Sequence, residues 1–303
     1  MSKIQIVEMG LRDGLQNEAV HLSVSQRFQL LKKLSDAGLK RLEIGAFVSP
    51  KWVPQMSATP QLVKRALKAQ EQSKLNKSLK MSTLVPNMRG LEDAFASGIK
   101  EVAVFGAVTE SFSQKNINCS VKQSIENFKS VINASRKNKV KVRGYLSTVF
   151  GCPYEGKVSQ KKAIKLIEKY LEMGVYEISL GDTIGVATPK QVRSLLKDLL
   201  TITDENKIAM HFHDTRGTAI ANILASLDLG IKTFDTSLGG LGGCPYAPGA
   251  AGNVATEDVV YMLHGMGLKT GINLQQLIKA TLWMNKQVGR QLPSKLSLTG
   301  DTF

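Results

Sequence analysis

Eight short runs rich in β-branched or apolar residues recur along the chain, separated mostly by stretches whose apolar positions repeat at helical spacing. The runs are Ile4 to Met9, Arg41 to Ile44, Met81 to Val85, Glu101 to Phe105, Val140 to Leu146, Tyr176 to Leu180, Lys207 to Phe212, and Lys232 to Thr236. Between them lie segments such as Ser25-Gln26-Arg27-Phe28-Gln29-Leu30-Leu31-Lys32-Lys33-Leu34, apolar on one helical face and polar elsewhere. Gly38, Gly98, Gly174 and Gly230 close four of these segments, where a left-handed residue lets a helix turn into the next strand. Eight alternations of strand and helix predict a (β/α)8 TIM barrel, one catalytic domain over residues 1–303 with additional C-terminal helices closing it. A doubly wound open sheet is the alternative, but no dinucleotide fingerprint follows the first strand.

In that fold chemistry gathers where strands end and the following loops begin. Arg12 and Asp13 follow the first strand, Glu43 closes the second, Tyr145 lies late in the fifth, and Ser179 and Asp182 end the sixth. His211 and His213 end the seventh, and a glycine-rich loop carrying Cys244 follows the eighth. Alternate side chains of a strand share a face, so His211 and His213 point together. Two neutral imidazoles on one face suit a divalent metal, and a thiol in a glycine-flanked loop suits acid/base work. Each residue also has a plainer role open to it. Asp13 and Asn253 sit beside glycines and could make turns, Arg12 could pair with Glu43 on the surface, and Cys244 could be a small buried hydrophobe. Tyr145 could be a barrel-wall aromatic, Asn116 a helix cap, and Glu257 part of a helix start.

Composition narrows the classes. At 303 residues and 43% hydrophobic, the chain suits an ordinary soluble protein, and no apolar run approaches the roughly 18 residues that cross a bilayer. The opening residues enter a strand pattern directly, without the look of a signal or transit peptide. Three cysteines, Cys119, Cys152 and Cys244, are far apart and odd in number, which points to a reduced cytoplasm. The net charge of +15 permits a nucleic-acid partner, but the lysines are scattered and carry no nucleic-acid-binding signature. We therefore expect neither nucleic acid nor membrane as partner, and a polyanionic small molecule such as a coenzyme A ester as the better use of the charge.

The segments VEMGLRDGLQNE at residues 7–18, FVSPKWVPQM at 47–56, KNINCS at 115–120, VRGYLS at 142–147, GCPYEGK at 151–157, YEISLGDTIGVATP at 176–189 and LGGCPYAPGAAGN at 241–253 together resemble the 3-hydroxy-3-methylglutaryl-CoA lyase family over nearly the whole chain. The resemblance implies a retro-Claisen cleavage of that thioester into acetyl-CoA and acetoacetate. It implies that Asp13, His211, His213 and Asn253 hold Mg2+ or Mn2+, a mixed N/O set too poor in thiolate for structural zinc. It further implies that Arg12 stabilises enolate charge and that His211 or Asp13 takes the hydroxyl proton. Cys244 then protonates the enolate carbon, while Glu43 and Asp182 orient Arg12 or assist proton movement. Gln16, Asn116, Tyr145 and Ser179 fall at substrate-contacting positions, with Glu257 behind the metal ligands. An acyl-CoA substrate, a homodimer, and a place in leucine degradation and ketone-body formation are the remaining expectations. One departure stands out: Gly45-Ala46 stands where many members carry small hydroxylated residues before the Phe, which leaves acyl specificity open.

Overall fold

The computed structural model describes residues 4–242 and 252–299. Eight parallel strands close into a barrel in sequence order, β1 (Gln5–Glu8), β2 (Arg41–Ala46), β3 (Lys80–Leu84), β4 (Glu101–Ala107), β5 (Lys141–Ser147), β6 (Ile178–Asp182), β7 (Ile208–Phe212) and β8 (Thr233–Thr236). The barrel closes where β1 pairs with β8, Val7 opposite Asp235. Helices α1 (Val24–Asp36), α2 (Thr59–Glu71), α3 (Met88–Ser97), α4 (Glu110–Ile117), α5 (Val121–Lys137), α6 (Gln160–Met173), α7 (Pro189–Leu199) and α8 (Ala219–Leu227) occupy the β-to-α crossovers. Then α9 (Thr256–Gly265), α10 (Leu274–Val288) and α11 (Lys295–Thr299) close the chain, α10 lying against α1 and α9. This is the (β/α)8 architecture expected from the eight-fold alternation.

Local rules explain the boundaries. Ser23 caps α1 reciprocally with Gln26, and Ser120, Ser159 and Asn273 cap α5, α6 and α10, each accepting an amide N–H of the first turn. Gly38, Gly98, Gly174 and Gly230 all stand at positive φ, as the sequence predicts. The sixth strand is displaced from its predicted position, running to Asp182 rather than Leu180. Its apolar-looking beginning is drawn into tertiary contacts instead, Tyr176 donating to Glu101 and Glu177 pairing with two arginines.

The barrel interior is charged in its lower half. Arg143 donates to Glu177 and to both carboxylate oxygens of Asp235, and Arg41 donates to both oxygens of Glu177. Burial depresses an arginine's proton affinity, but these carboxylates outweigh it for Arg143, and the arginines hold Glu177 and Asp235 below the usual carboxylate range despite burial. Ser179 and His211 attach to the upper end of this chain through Asp235, at 2.7 and 3.4 Å. A packed, fully paired polar column therefore supports the end of the barrel at which the loops carry the chemistry.

Candidate active site

Directly after β1 the backbone makes a single π-turn, Gly10–Gly14, which turns Arg12 and Asp13 over the open end of the barrel. Arg12 is buried and donates from Nε to Glu43 Oε2 at 2.6 Å and from Nη1 to Asp13. The Arg12–Glu43 pair is thus an interior pair, where the sequence left a surface pair open. Beneath the turn, Arg27 is buried without a carboxylate partner and donates to the carbonyls of Leu11, Ile44 and Gln55. Burial pushes its pKa down to about 10. This same guanidinium, with Thr59, accounts for Gly45. A Cβ there would stand 2.5 Å from Thr59 Oγ1 and 3.1 Å from Arg27 Nη2. Neither Gly45 nor Ala46 lines the cavity described below.

Asp13, His211 and His213 bring one ligand atom each to within 4.8 Å of one another. Burial would raise the Asp13 carboxyl, but Arg12 first and the two histidines after it hold it well below the usual range. His213 is buried and its pKa is pushed down to about 4, by desolvation and then by His211, which keeps the imidazole neutral. His211 turns Nδ1 toward Asp235, so its Nε2 faces Asp13, 4.0 Å from Oδ2. An anionic Asp235 accepts from Nδ1–H and leaves the Nε2 lone pair directed into the cluster.

Asn253 joins from the far side of the glycine loop. A β-bridge pairs it with His213, and its Nδ2 donates to Asp13 Oδ2 at 2.7 Å and to the Leu241 carbonyl at 3.2 Å. Those two acceptors fix the amide orientation and leave Oδ1 buried without a partner, as His213 Nδ1 is left. Unpaired buried acceptors are costly and rare in folded proteins. A cation fits them: a carboxylate, two imidazoles and a free amide oxygen form a mixed N/O donor set suited to Mg2+ or Mn2+. Gly242 is required at this contact, since at φ +93° a Cβ would meet Asn253 Nδ2 at 2.8 Å and the Asp13 carbonyl at 3.1 Å.

The cluster forms part of the wall of a cavity of about 940 Å³. Gln16, Asn116, Tyr145 and Ser179 all line it, as do the half-buried Cys119 and the exposed Trp52. Tyr145 accepts from Arg143 and lies under the Arg12 guanidinium, 5.5 Å from ring centroid to Cζ. Asn116, on α4, donates to the Phe112 carbonyl one turn back. Two other predicted residues sit apart. Asp182 alternates away from Ser179 and Gly181 and accepts the backbone N–H groups of Val186 and Ala187, which secures the loop into α7. Burial raises its pKa to about 6 against those hydrogen bonds. Glu257 does not reach Asn253; it accepts from Gly239 N–H and the Thr281 hydroxyl at the root of the glycine loop. Cys244 lies outside the described residues.

Two carboxylates that sequence reading did not single out hold the arrangement together. Asp235 anchors His211, Ser179 and Arg143. Its signal was available, as the inward-facing polar residue of Thr233-Phe234-Asp235-Thr236. Glu8 Oε1 accepts from Gly10 and Leu238 N–H, both at 2.8 Å, and Oε2 accepts from Thr256 at 2.6 Å. It thereby joins the π-turn to both roots of the glycine loop. Burial pushes its pKa up to about 7 in spite of these donors. Nothing in the local pattern of Val7-Glu8-Met9 marks it.

The sequence profile of the HMGL-like family matches residues 3–282. The chain is 46% identical over 293 residues to the hydroxymethylglutaryl-CoA lyase of Bacillus subtilis, covering 97% of this chain and 96% of that one. It is 48% identical over 278 residues to the 3-hydroxy-3-isohexenylglutaryl-CoA/hydroxymethylglutaryl-CoA lyase of Pseudomonas aeruginosa, covering 92% and 90%. In structure it matches the B. subtilis lyase with a TM-score of 0.94 at 45% identity, over 99% of this chain and 98% of that one. It also matches an Acinetobacter baumannii lyase in complex with coenzyme A and 3-methylmalate, TM-score 0.91 at 33% identity over 99% and 96%.

Proposed function

The chain belongs to the HMGL-like family, and on that premise we propose that it is a metal-dependent carbon–carbon lyase that cleaves 3-hydroxy-3-methylglutaryl-CoA into acetyl-CoA and acetoacetate. The observation that carries this reading is the gathering of Arg12, Asp13, His211 and His213 in the wall of a large cavity, with Asn253 bonded to Asp13 and two buried atoms, His213 Nδ1 and Asn253 Oδ1, without a partner.

Asp13, His211, His213 and Asn253 would hold the divalent cation, Mg2+ or Mn2+. Bound there, it would supply positive charge to the oxygens of the substrate's hydroxyl and carboxylate ends. The chain's own residues do the rest. Asp13 or His211 takes the tertiary hydroxyl proton. As the adjacent carbon–carbon bond breaks, its electrons move onto the thioester, and Arg12 donates to the developing enolate oxygen. Glu43 is suited to hold that guanidinium in place, since it grips Nε and leaves the other nitrogens to Asp13 and substrate. Cys244 delivers the proton to the enolate carbon to release acetyl-CoA. Gln16, Asn116, Tyr145 and Ser179 contact substrate along the cavity wall. Asp182 and Glu257 act indirectly, through the loop into α7 and the root of the glycine loop.

The acyl specificity is broader in this reading than one methyl group. Phe105, Phe112, Ile117 and Phe128 give one side of the cavity an apolar lining, and the P. aeruginosa relative is named for both a methyl and an isohexenyl substrate. We place the enzyme in the cytoplasm as a homodimer, within leucine degradation and ketone-body formation. Among the described residues no helix is long and apolar enough to cross a membrane.

Purified protein incubated with this thioester and Mg2+ or Mn2+ should release acetyl-CoA, and chelation should stop the release until metal is returned. Absence of acetyl-CoA from the loaded enzyme overturns the reading. So does efficient consumption of acetyl-CoA with a 2-oxo acid by an enzyme unable to cleave hydroxyacyl thioesters. A series of 3-alkyl substrates measures how far the apolar side extends.

A further inference from the structure

Lysines that look scattered along the sequence are gathered by the barrel onto the end opposite the candidate active site. The connections into β2, β3, β4 and β5, residues 37–40, 72–80, 98–100 and 138–141, all open on that end. They contain Lys40, Lys74, Lys77, Lys80, Lys100, Lys139 and Lys141; the acids that flank them are Asp36, paired with Lys32, Glu101, which accepts from Tyr176, and Glu71. All seven are exposed. The strands put them side by side: Lys80 N–H donates to the Lys40 carbonyl at 2.8 Å, and Lys141 N–H to the Lys100 carbonyl at 3.0 Å. Among the described residues the lysine ion pairs are Lys32–Asp36, Lys207–Asp204 and Lys232–Glu205, so none of the seven is neutralised in this way.

The other half of the same end is different. Connections into β6, β7 and β8, residues 174–177, 200–207 and 228–232, hold Lys207 and Lys232 against Asp204, Glu205 and Asp228 at the surface, while Glu177 is buried among the barrel's arginines. The positive charge is therefore local to one arc of four adjacent strands, about 15 Å across at the usual strand spacing. Like charges held together on one face repel one another, and a polyanion relieves that repulsion.

We propose that this arc is a docking surface for an anionic phospholipid bilayer, which revises the expectation of no membrane partner drawn from the scatter of lysines along the sequence. Three features favour a lipid surface over a nucleic acid. The charges of the four connections are lysine ammoniums; of the arginines beside them, Arg41 is turned inward onto Glu177 and Arg136 donates from Nη2 to the Met173 carbonyl at 3.1 Å. The exposed large hydrophobic residues all lie outside these four connections, so no ring is offered for base stacking. The connections are short, and no helix or ribbon projects from them to enter a groove. What remains is a flat field of hydrated point charges, the complement of a broad headgroup layer within a Debye length. Docked on this end, the barrel keeps the mouth of its cavity facing solvent, and substrate access is unchanged.

Co-sedimentation of the full chain with phosphatidylcholine vesicles, with and without phosphatidylserine, tests the proposal. Binding should require phosphatidylserine and disappear at high salt. The variant Lys74→Gln/Lys77→Gln/Lys100→Gln/Lys139→Asn should bind at least about tenfold more weakly, given the attraction expected per lysine at such a surface. The Asn is chosen because position 139 stands at φ +56°, which Asn tolerates. A control with the same loss of charge, Lys161→Gln/Lys162→Gln/Lys165→Gln/Lys190→Gln, should retain binding within about threefold, and both variants should keep wild-type lyase turnover. Equal weakening in the two variants would reduce the effect to net charge and overturn the proposal. Absence of binding to the anionic vesicles overturns it as well, as does tighter binding to a nucleic-acid duplex at the same salt.

Discussion

Two buried charge networks lie one above the other in this barrel, and they differ in how completely they are satisfied. In the lower one, Arg41, Glu177, Arg143 and Asp235 use their charged groups on one another, and no side-chain atom of the four is left buried and unpaired. In the upper one, Arg12, Glu43, His213 and Asn253 are buried and Asp13 is half-buried, yet Glu43 Oε1, His213 Nδ1 and Asn253 Oδ1 have no partner. Burial and ion pairing alone would not tell core from site. Between these two networks incomplete satisfaction makes the distinction: the upper one gathers three unpaired buried atoms beside the cavity wall, where a ligand can meet them, whereas isolated orphans such as Asn222 Oδ1 and Tyr170 Oη stand away from that cavity. The lower network supplies rigidity, and through Asp235 it passes that rigidity to His211.

Opposite responses to substitution should separate the two. Arg143→Met leaves Glu177 short of one partner and Asp235 without its strongest, and should cost about 3–5 kcal/mol of folding stability in urea melts. Loss of less than about 1 kcal/mol would show that the column is not the support described here. Arg12→Lys keeps a charge beside Glu43 but loses the planar fork, so turnover should fall about 10²–10³-fold with little change in the melt. A variant that loses stability but not turnover would move Arg12 into the structural class.

Glu8 joins the π-turn of the upper region to the glycine loop, and its titration gives a third test. Its pKa is raised from the ordinary 4.5 to about 7, so its contribution to stability is fully present below 4.5 and lost as the pH rises through about 7. Wild-type stability should carry a fall of up to roughly 3 kcal/mol over that window from this group. Glu8→Gln, which can still accept the two N–H groups, should flatten it, and an unchanged pH profile would contradict the assignment. The smallest effect is expected from Ser179→Ala, about 1 kcal/mol in the melt, because Asp235 retains Arg143 and His211. A collapse of metal affinity in this variant would mean that the hydroxyl orients His211 more strongly than the carboxylate does.

Much of this was legible along the chain. Strand alternation placed His211 and His213 on one face, the eight-fold repeat implied the barrel, and the position of Arg12-Asp13 after the first strand put them on its functional end. The roles of Asp182 and Glu257 were less visible. Both are buried carboxylates near the correct end, but which N–H groups they meet depends on loop paths of a few residues, and each serves a loop rather than the cluster. The displaced sixth strand has a similar cause, since Tyr176 and Glu177 are claimed by partners 34 to 136 residues away.

Periodicity, capping and glycine stops act over a few residues, so the sequence by itself determined the elements, their order and the face each catalytic candidate occupies. Pairing of charges is settled only when the barrel closes. Arg143 meets Asp235 across 92 residues, Glu8 meets Leu238 across 230, and Asn253 meets Asp13 across 240. No local pattern carries those separations, and in a low-dielectric interior the partner decides whether a charged group is core, support or site. The same closure turned lysines spaced along 100 residues into one surface.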